Sequence, residues 1–131
     1  MRVSTSPDTA DSTDIFDVIN AREIDAAAER ISDVIAATPL QVSERLSAET
    51  GATVYLKRED LQVVRSYKLR GAYNLMAQLT DSERAAGVVT ASAGNHAQGV
   101  AFACRAMAIK GRIYVPTKTP KQKRDRIRVH G

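Results

Sequence analysis

Lys68 stands in the run Ser66-Tyr67-Lys68-Leu69-Arg70-Gly71-Ala72, and further along comes Ser92-Ala93-Gly94-Asn95-His96-Ala97-Gln98-Gly99. The first run reads as the start of a helix, capped by Ser66, with Lys68 in its first turn. The positive end of the helix dipole lies there and favours the neutral amine. A neutral lysine amine is a nucleophile toward carbonyl carbon. Gly71 leaves room for another backbone, or for a bound group, to come close. A lone lysine is ordinarily just a solvated side chain; the flanking pattern sets this one apart.

The second run reads as a small-residue loop, 92–95, between a strand and a helix. Backbone N–H groups at a helix start converge on one spot and suit a carboxylate or phosphate. Ser92 and Asn95 add side-chain donors, while Ala93 and Gly94 keep the approach open. Taken alone, the same four residues also describe a plain capped helix. His96 is either a general base or the donor of one more backbone N–H, and the second role is favoured because no carboxylate is identifiable to orient its ring. Glu59 and Asp60 read as strand neighbours pointing opposite ways, each paired with a nearby Lys or Arg rather than forming an acid/base couple. His130 is given no role. An amine nucleophile followed by an anion-binding loop is what a pyridoxal phosphate enzyme acting on amino acids requires.

The elements that must position these groups follow from periodicity. Ile24, Ala27, Ala28, Ile31 and Ile35 make one face of a helix over 21–35, which Thr38-Pro39-Leu40 breaks. A short helix over 43–49 stops at Gly51, and 53–57 reads as a strand. The Lys68 helix runs to about Leu79, its wide stripe built on Leu69, Ala72, Tyr73, Met76 and Ala77. Thr80-Asp81-Ser82-Glu83 has the spacing of a capping box, and Gly87 ends that helix. A strand at 88–91, a helix at 96–108 and a strand at 112–115 then form a βαβ crossover with parallel strands. Its helix presents a stripe of small residues, Ala97, Val100, Ala101, Cys104 and Ala108, so its axis comes close to the sheet. A last helix begins at Thr119-Pro120.

Composition restricts the function classes. The net charge of +4 is concentrated: residues 118–131 carry six Lys or Arg against one Asp. No aromatic residue is interleaved there for base stacking, so that segment reads as a solvated helix face rather than a nucleic-acid site. No apolar run approaches the roughly 20 residues of a membrane span. Residues 1–19 read as a disordered tail, too acidic at its start for a transit peptide. The single cysteine, Cys104, falls in an apolar helix centre and reads as a buried, unreactive thiol, which fits a reducing cytoplasm.

Three segments in order resemble the serine/threonine dehydratase branch of the tryptophan-synthase-β-like family of pyridoxal phosphate enzymes. They are Leu56-Lys57-Arg58-Glu59-Asp60-Leu61-Gln62, the run around Lys68, and Ser92 through Gly99, with Thr38-Pro39-Leu40 and 115–121 also in place. Cysteine and threonine synthases typically show Lys-Asp-Arg where this chain has Lys68-Leu69-Arg70, and Gly-Asn-Thr where it has Gly94-Asn95-His96. Both departures point to the dehydratase branch, which includes threonine dehydratases and serine racemases. The resemblance implies an α/β fold of type II, with a parallel sheet and flanking helices. It implies that Lys68 carries pyridoxal 5'-phosphate through a Schiff base and then removes the substrate α-proton. Asn95 is implied to bond the cofactor's ring hydroxyl. Ser92, Ala93, Gly94, Asn95 and His96 are implied to hold the substrate carboxylate. The implied reaction converts L-threonine, or L-serine as a second substrate, to an oxo acid and ammonia (2-oxobutanoate from threonine) in isoleucine biosynthesis or threonine catabolism.

The family's glycine-rich phosphate cradle has no counterpart here, and no Gly-Gly-Gly run occurs. The chain is therefore read as the front part of a longer enzyme, an incomplete fold with little activity alone. Residues 57–131 are expected to form part of a small lobe bearing the site. Residues 20–56 are expected to pack partly on a larger lobe, leaving apolar stripes exposed, and the full-length form is expected to be a cytoplasmic homo-oligomer. A truncated, non-catalytic interaction fragment is the competing reading.

Overall fold

Asn20 opens the first helix of the computed structural model, in which residues 20–130 are described; the expected 1–19 tail lies outside them. Its side chain accepts from Glu23 N at 3.1 Å and caps α1, Ala21–Ile31. The helix stops four residues short of the expected 35. Ser32 turns both its N–H and its hydroxyl onto the Glu29 carbonyl. The chain then bends so that Ala36 reaches Gln62, whose buried amide accepts from Ala36 N at 3.1 Å and donates to Ala36 O at 2.9 Å. Of the expected stripe only Ile31 is fully buried, and Ile24 is 61% exposed. Arg30 Nη1 donates to Asn74 Oδ1 and so links α1 to the Lys68 helix.

An antiparallel pair that periodicity does not reveal comes next: β1, Leu40–Val42, against β2, Tyr55–Lys57. Three-residue strands are too short to establish an alternation. Between them lies α2, Glu44–Thr50, capped by the Ser43 hydroxyl and ended by Gly51 in the left-handed region at φ +70. β2 begins at Tyr55 rather than residue 53. Val54 donates its N–H to Ser47 Oγ at 2.9 Å, on the flank of α2.

Glu59–Leu61 is a 3-10 turn, not the strand read from sequence. From Gln62 to Tyr67 the side chains alternate: Gln62, Val64 and Ser66 are buried, while Val63, Arg65 and Tyr67 are exposed. That alternation corrects the expected cap. α3 spans Lys68–Ala77 with Tyr67 at its N-cap and no capping side chain. Ser66 lies one residue too early, and its hydroxyl is buried with no hydrogen-bond partner. α3 ends at Ala77, not near Leu79, because Arg84 takes the carbonyls of Ala77 and Leu79, each at 2.9 Å. The expected capping box is present on α4, Asp81–Ala86, with Thr80 and Glu83 as its two members.

The βαβ unit is as expected, with shifts of one residue. β3 is Val88–Ala91, α5 is Asn95–Met107, and β4 is Gly111–Tyr114. β3 and β4 are parallel, in register from Val88 opposite Gly111 to Ala91 opposite Tyr114. Ala97, Val100, Ala101 and Cys104 of the small stripe are buried, but Ala108 is the exposed left-handed C-cap. Ala72 and Met76 of α3 pack with Val100, Ala103 and Cys104 of α5 and with Ile109. Ile127 of α6, Lys121–His130, packs on Ala97 and Ala101. The remaining basic residues of α6 are exposed or half-buried. The result is an α/β fold with partial sheets. Large apolar side chains stay exposed on several elements, including Leu75, Val89 at 71% and Tyr114.

Candidate cofactor and substrate site

Lys68 is the first residue of α3 and is exposed, its Nζ 4.8 Å from the centre of the Tyr67 ring. The peptide that carries it is pressed by another helix. A Cβ built on Gly99 of α5 would stand 3.1 Å from Lys68 O and 3.2 Å from Leu69 N. Gly71, the glycine that sequence offers for a close approach, has no atom within 4 Å of its Cβ position. The backbone contact is at Gly99 instead. Asn95 starts α5 four residues earlier, roughly 6 Å along the axis at the usual helical rise. The contact therefore packs the Lys68–Leu69 peptide, at the start of α3, against the second turn of the helix that the 92–95 loop opens.

Within the loop the donors divide into two sets. Ser92 N bonds to Tyr114 O at 3.0 Å, continuing the parallel ladder, and Gly94 N donates to Ser92 Oγ at 3.3 Å. Among the described residues the N–H groups of Ala93, Asn95 and His96 have no acceptor. A Cβ position on Gly94 meets nothing within 4 Å, so the approach to those donors is open. Asn95 and His96 are both exposed. His96 borders an apolar cavity of about 250 Å³ with Leu75, Met76, Val89 and Thr90, and no carboxylate lines it. Nothing there orients the imidazole as a base.

The other carboxylates near the site are engaged. Arg70 donates Nε to Glu59 Oε2 at 2.9 Å and Nη2 to Glu59 Oε1 at 2.8 Å. Thr38 Oγ1 and Gln62 Nε2 donate to the same carboxylate. These donors, the Arg70 guanidinium first, lower the Glu59 pKa to about 2, against the opposing effect of burial. Asp60 pairs separately with Arg58, at 2.8 and 2.7 Å. The expected pairings are present, but Arg70, Thr38 and Gln62 are partners that sequence reasoning did not find; the one available signal was an arginine two residues after Lys68.

The residues present fit pyridoxal phosphate and an amino-acid carboxylate. An exposed primary amine is available, an orphaned hydroxyl lies two residues before it, and three unpaired N–H groups open onto unfilled space. Among the described residues no group of three or more His, Cys, Asp or Glu is placed to hold a metal ion. The Cys104 thiol is buried, as expected, and burial raises its pKa. No described helix is long and apolar enough to cross a membrane.

The chain is similar to several known proteins. The biosynthetic L-threonine dehydratase IlvA of Mycobacterium leprae is 72% identical over 113 residues, covering 86% of this chain and 26% of that protein. The chain thus spans about a quarter of the length of that relative. The processed form of threonine deaminase isoform 2 from Solanum lycopersicum superposes with a TM-score of 0.73 at 44% identity, covering 86% of this chain and 32% of that one. Maize serine racemase gives a TM-score of 0.80 at 33% identity, with 86% and 34% covered. The sequence profile described as pyridoxal-phosphate dependent enzyme matches residues 31–131, and the chain belongs to that family.

Proposed function

We propose that this chain carries the amine and the substrate-carboxylate loop of a threonine dehydratase that converts L-threonine to 2-oxobutanoate and ammonia. The observation that supports the reading most directly is the close approach of Gly99 to the Lys68–Leu69 peptide, which packs the start of the Lys68 helix on the first turns of α5. The 72% identity to a biosynthetic threonine dehydratase supports the choice of substrate.

When bound, pyridoxal phosphate supplies the electron sink that makes an amino-acid α-proton acidic. Lys68 Nζ would hold the cofactor, and its free amine would accept the substrate α-proton. The N–H groups of Ala93, Asn95 and His96 hold the carboxylate, and the Ser92 hydroxyl, which already accepts from Gly94, has its own proton left to donate. The Asn95 side chain would hydrogen-bond the cofactor's ring hydroxyl. His96 contributes its backbone. Bonds made to a fixed carboxylate orient Cα–H toward one amine, and such positioning is the protein's share of the catalysis.

The similarity to serine racemase gives a second reading, in which L-serine is the preferred substrate. The test of both begins with cofactor binding. Added pyridoxal phosphate should give an absorbance band near the visible edge that disappears in Lys68→Ala. Equal reaction of both proteins would refute the assignment of Lys68. Quenching of that band by L-threonine at lower concentration than by L-serine would decide the substrate.

A further inference from the structure

We propose that Gly99 is a positioning residue for Lys68: the absence of a side chain there fixes how far the amine stands from the anion loop. This inference rests on the role of Lys68 proposed above and adds a determinant on the opposite helix.

Gly99 is buried one turn into α5. The three atoms its Cβ would meet most closely are all backbone: Lys68 O at 3.1 Å, Leu69 N at 3.2 Å and Lys68 C at 3.2 Å. Backbone cannot swing aside as the tip of a side chain does. A methyl group at 99 must push the first turn of α3 away from α5 by a few tenths of an ångström. The chain entering α3 has little freedom to absorb that shift. Val64 is 0% exposed, Gln62 is clamped to Ala36, and Ser66 is buried. Two residues beyond Lys68, Arg70 is held by Glu59. The displacement therefore appears as a change in spacing between an amine on α3 and donors at the start of α5. Within the two site segments crowding is confined to Gly99, since Gly71 and Gly94 face open space.

The test measures covalent capture at Lys68 in the 131-residue chain. Pyridoxal phosphate is added below saturation, borohydride reduces the C=N bond formed with loss of water, and peptide mass mapping follows the label at Lys68 with time. Gly99→Ala is compared with Gly111→Ala, which crowds Cys104 at the far end of α5. Both are studied in a stabilising osmolyte, with circular dichroism confirming equal folding. Gly99→Ala should slow labelling at Lys68 roughly tenfold, while Gly111→Ala labels as the unsubstituted chain does. Unchanged labelling in Gly99→Ala overturns the proposal and leaves the Lys68 assignment standing. Slowing in both variants also overturns it, because general destabilisation would then account for the loss. Label outside Lys68 in the unsubstituted chain overturns both the assignment and the proposal. A Gly99→Ala chain that stays unfolded in osmolyte overturns the proposal, since the contact is then a requirement of folding.

Discussion

The Arg70 guanidinium holds the Glu59 carboxylate with two parallel hydrogen bonds of 2.9 and 2.8 Å, tying the helix that presents Lys68 to the 3-10 turn before it. Bidentate, charge-assisted pairs of this kind are stronger than single neutral bonds. The Glu59 side chain is 15% exposed and Arg70 35%, so solvent screens the pair only in part.

The pH dependence follows from the depressed Glu59 pKa, about 2 in the folded chain against 4.5 for the free side chain. A lowered folded-state pKa gives stability that is fully present above the unfolded value. It is lost as pH falls through the folded value. Between about pH 5 and pH 2 the chain should lose about 1–2 kcal/mol from this group, after allowance for screening. Glu59→Gln should show a flatter stability profile over that range and a loss of about 2 kcal/mol at neutral pH. Urea titrations of both proteins at pH 7, 5 and 3 measure this. Parallel profiles would refute the role given to Glu59.

Gly87→Ala should be among the most damaging single changes. Gly87 has φ +86 and ψ 178, a region that essentially only glycine occupies. Its Cβ would lie 2.6 Å from Lys110 O, the carbonyl that accepts from Val88 N at 2.9 Å and opens the parallel ladder. Strain and collision act together, and the expected loss is about 3 kcal/mol, read as a lower urea midpoint with an unchanged slope.

The strength of the sequence signal decided which parts of this molecule were legible. The βαβ unit was readable because β3, α5 and β4 each carry their own periodicity, with Gly111 marking the stop between helix and strand. Lys68 and Asn95 were legible as candidates because each opens a helix in a marked segment. Ser66 misled because a serine two residues before a helical lysine has the chemistry of a cap; the alternation of Gln62, Val64 and Ser66 into the core is decided by tertiary packing. The choice between Gly71 and Gly99 as the point of close approach was equally hidden. It depends on how α3 and α5 cross, which no local pattern encodes.

Ala108→Gly should stabilise the chain. Ala108 closes α5 at φ 55, with Ile109 N bonded back to Cys104 O at 2.9 Å, the geometry of a glycine-type C-cap occupied by alanine. A Cβ in the left-handed region costs about 1–2 kcal/mol, and the greater unfolded-state freedom of glycine offsets part of that. The expected net gain is about 0.5–1 kcal/mol, seen as a melting temperature raised by several degrees. An unchanged or lower melting temperature would show that the cap is relaxed.

Gly111→Ala and Cys104→Ala should interact. The Cβ position of Gly111 lies 2.5 Å from Cys104 Sγ and 3.4 Å from Cys104 Cβ. Removing the sulfur turns a collision into ordinary contact. Cys104 packs among Ala72, Met76 and Val100 and also borders a cavity shared with Gly111, so rotation of its thiol relieves only part of the collision. Gly111→Ala alone should cost about 1–3 kcal/mol by overpacking. Cys104→Ala alone should cost a similar amount by leaving a void. In the double variant the new methyl occupies space that the sulfur vacates, and the combined loss should fall short of the sum by about 1 kcal/mol. A thermodynamic cycle from four urea titrations measures that coupling. Strict additivity would mean that β4 shifts away from α5 instead, and the close packing of the βαβ unit would then not depend on a glycine at its second strand.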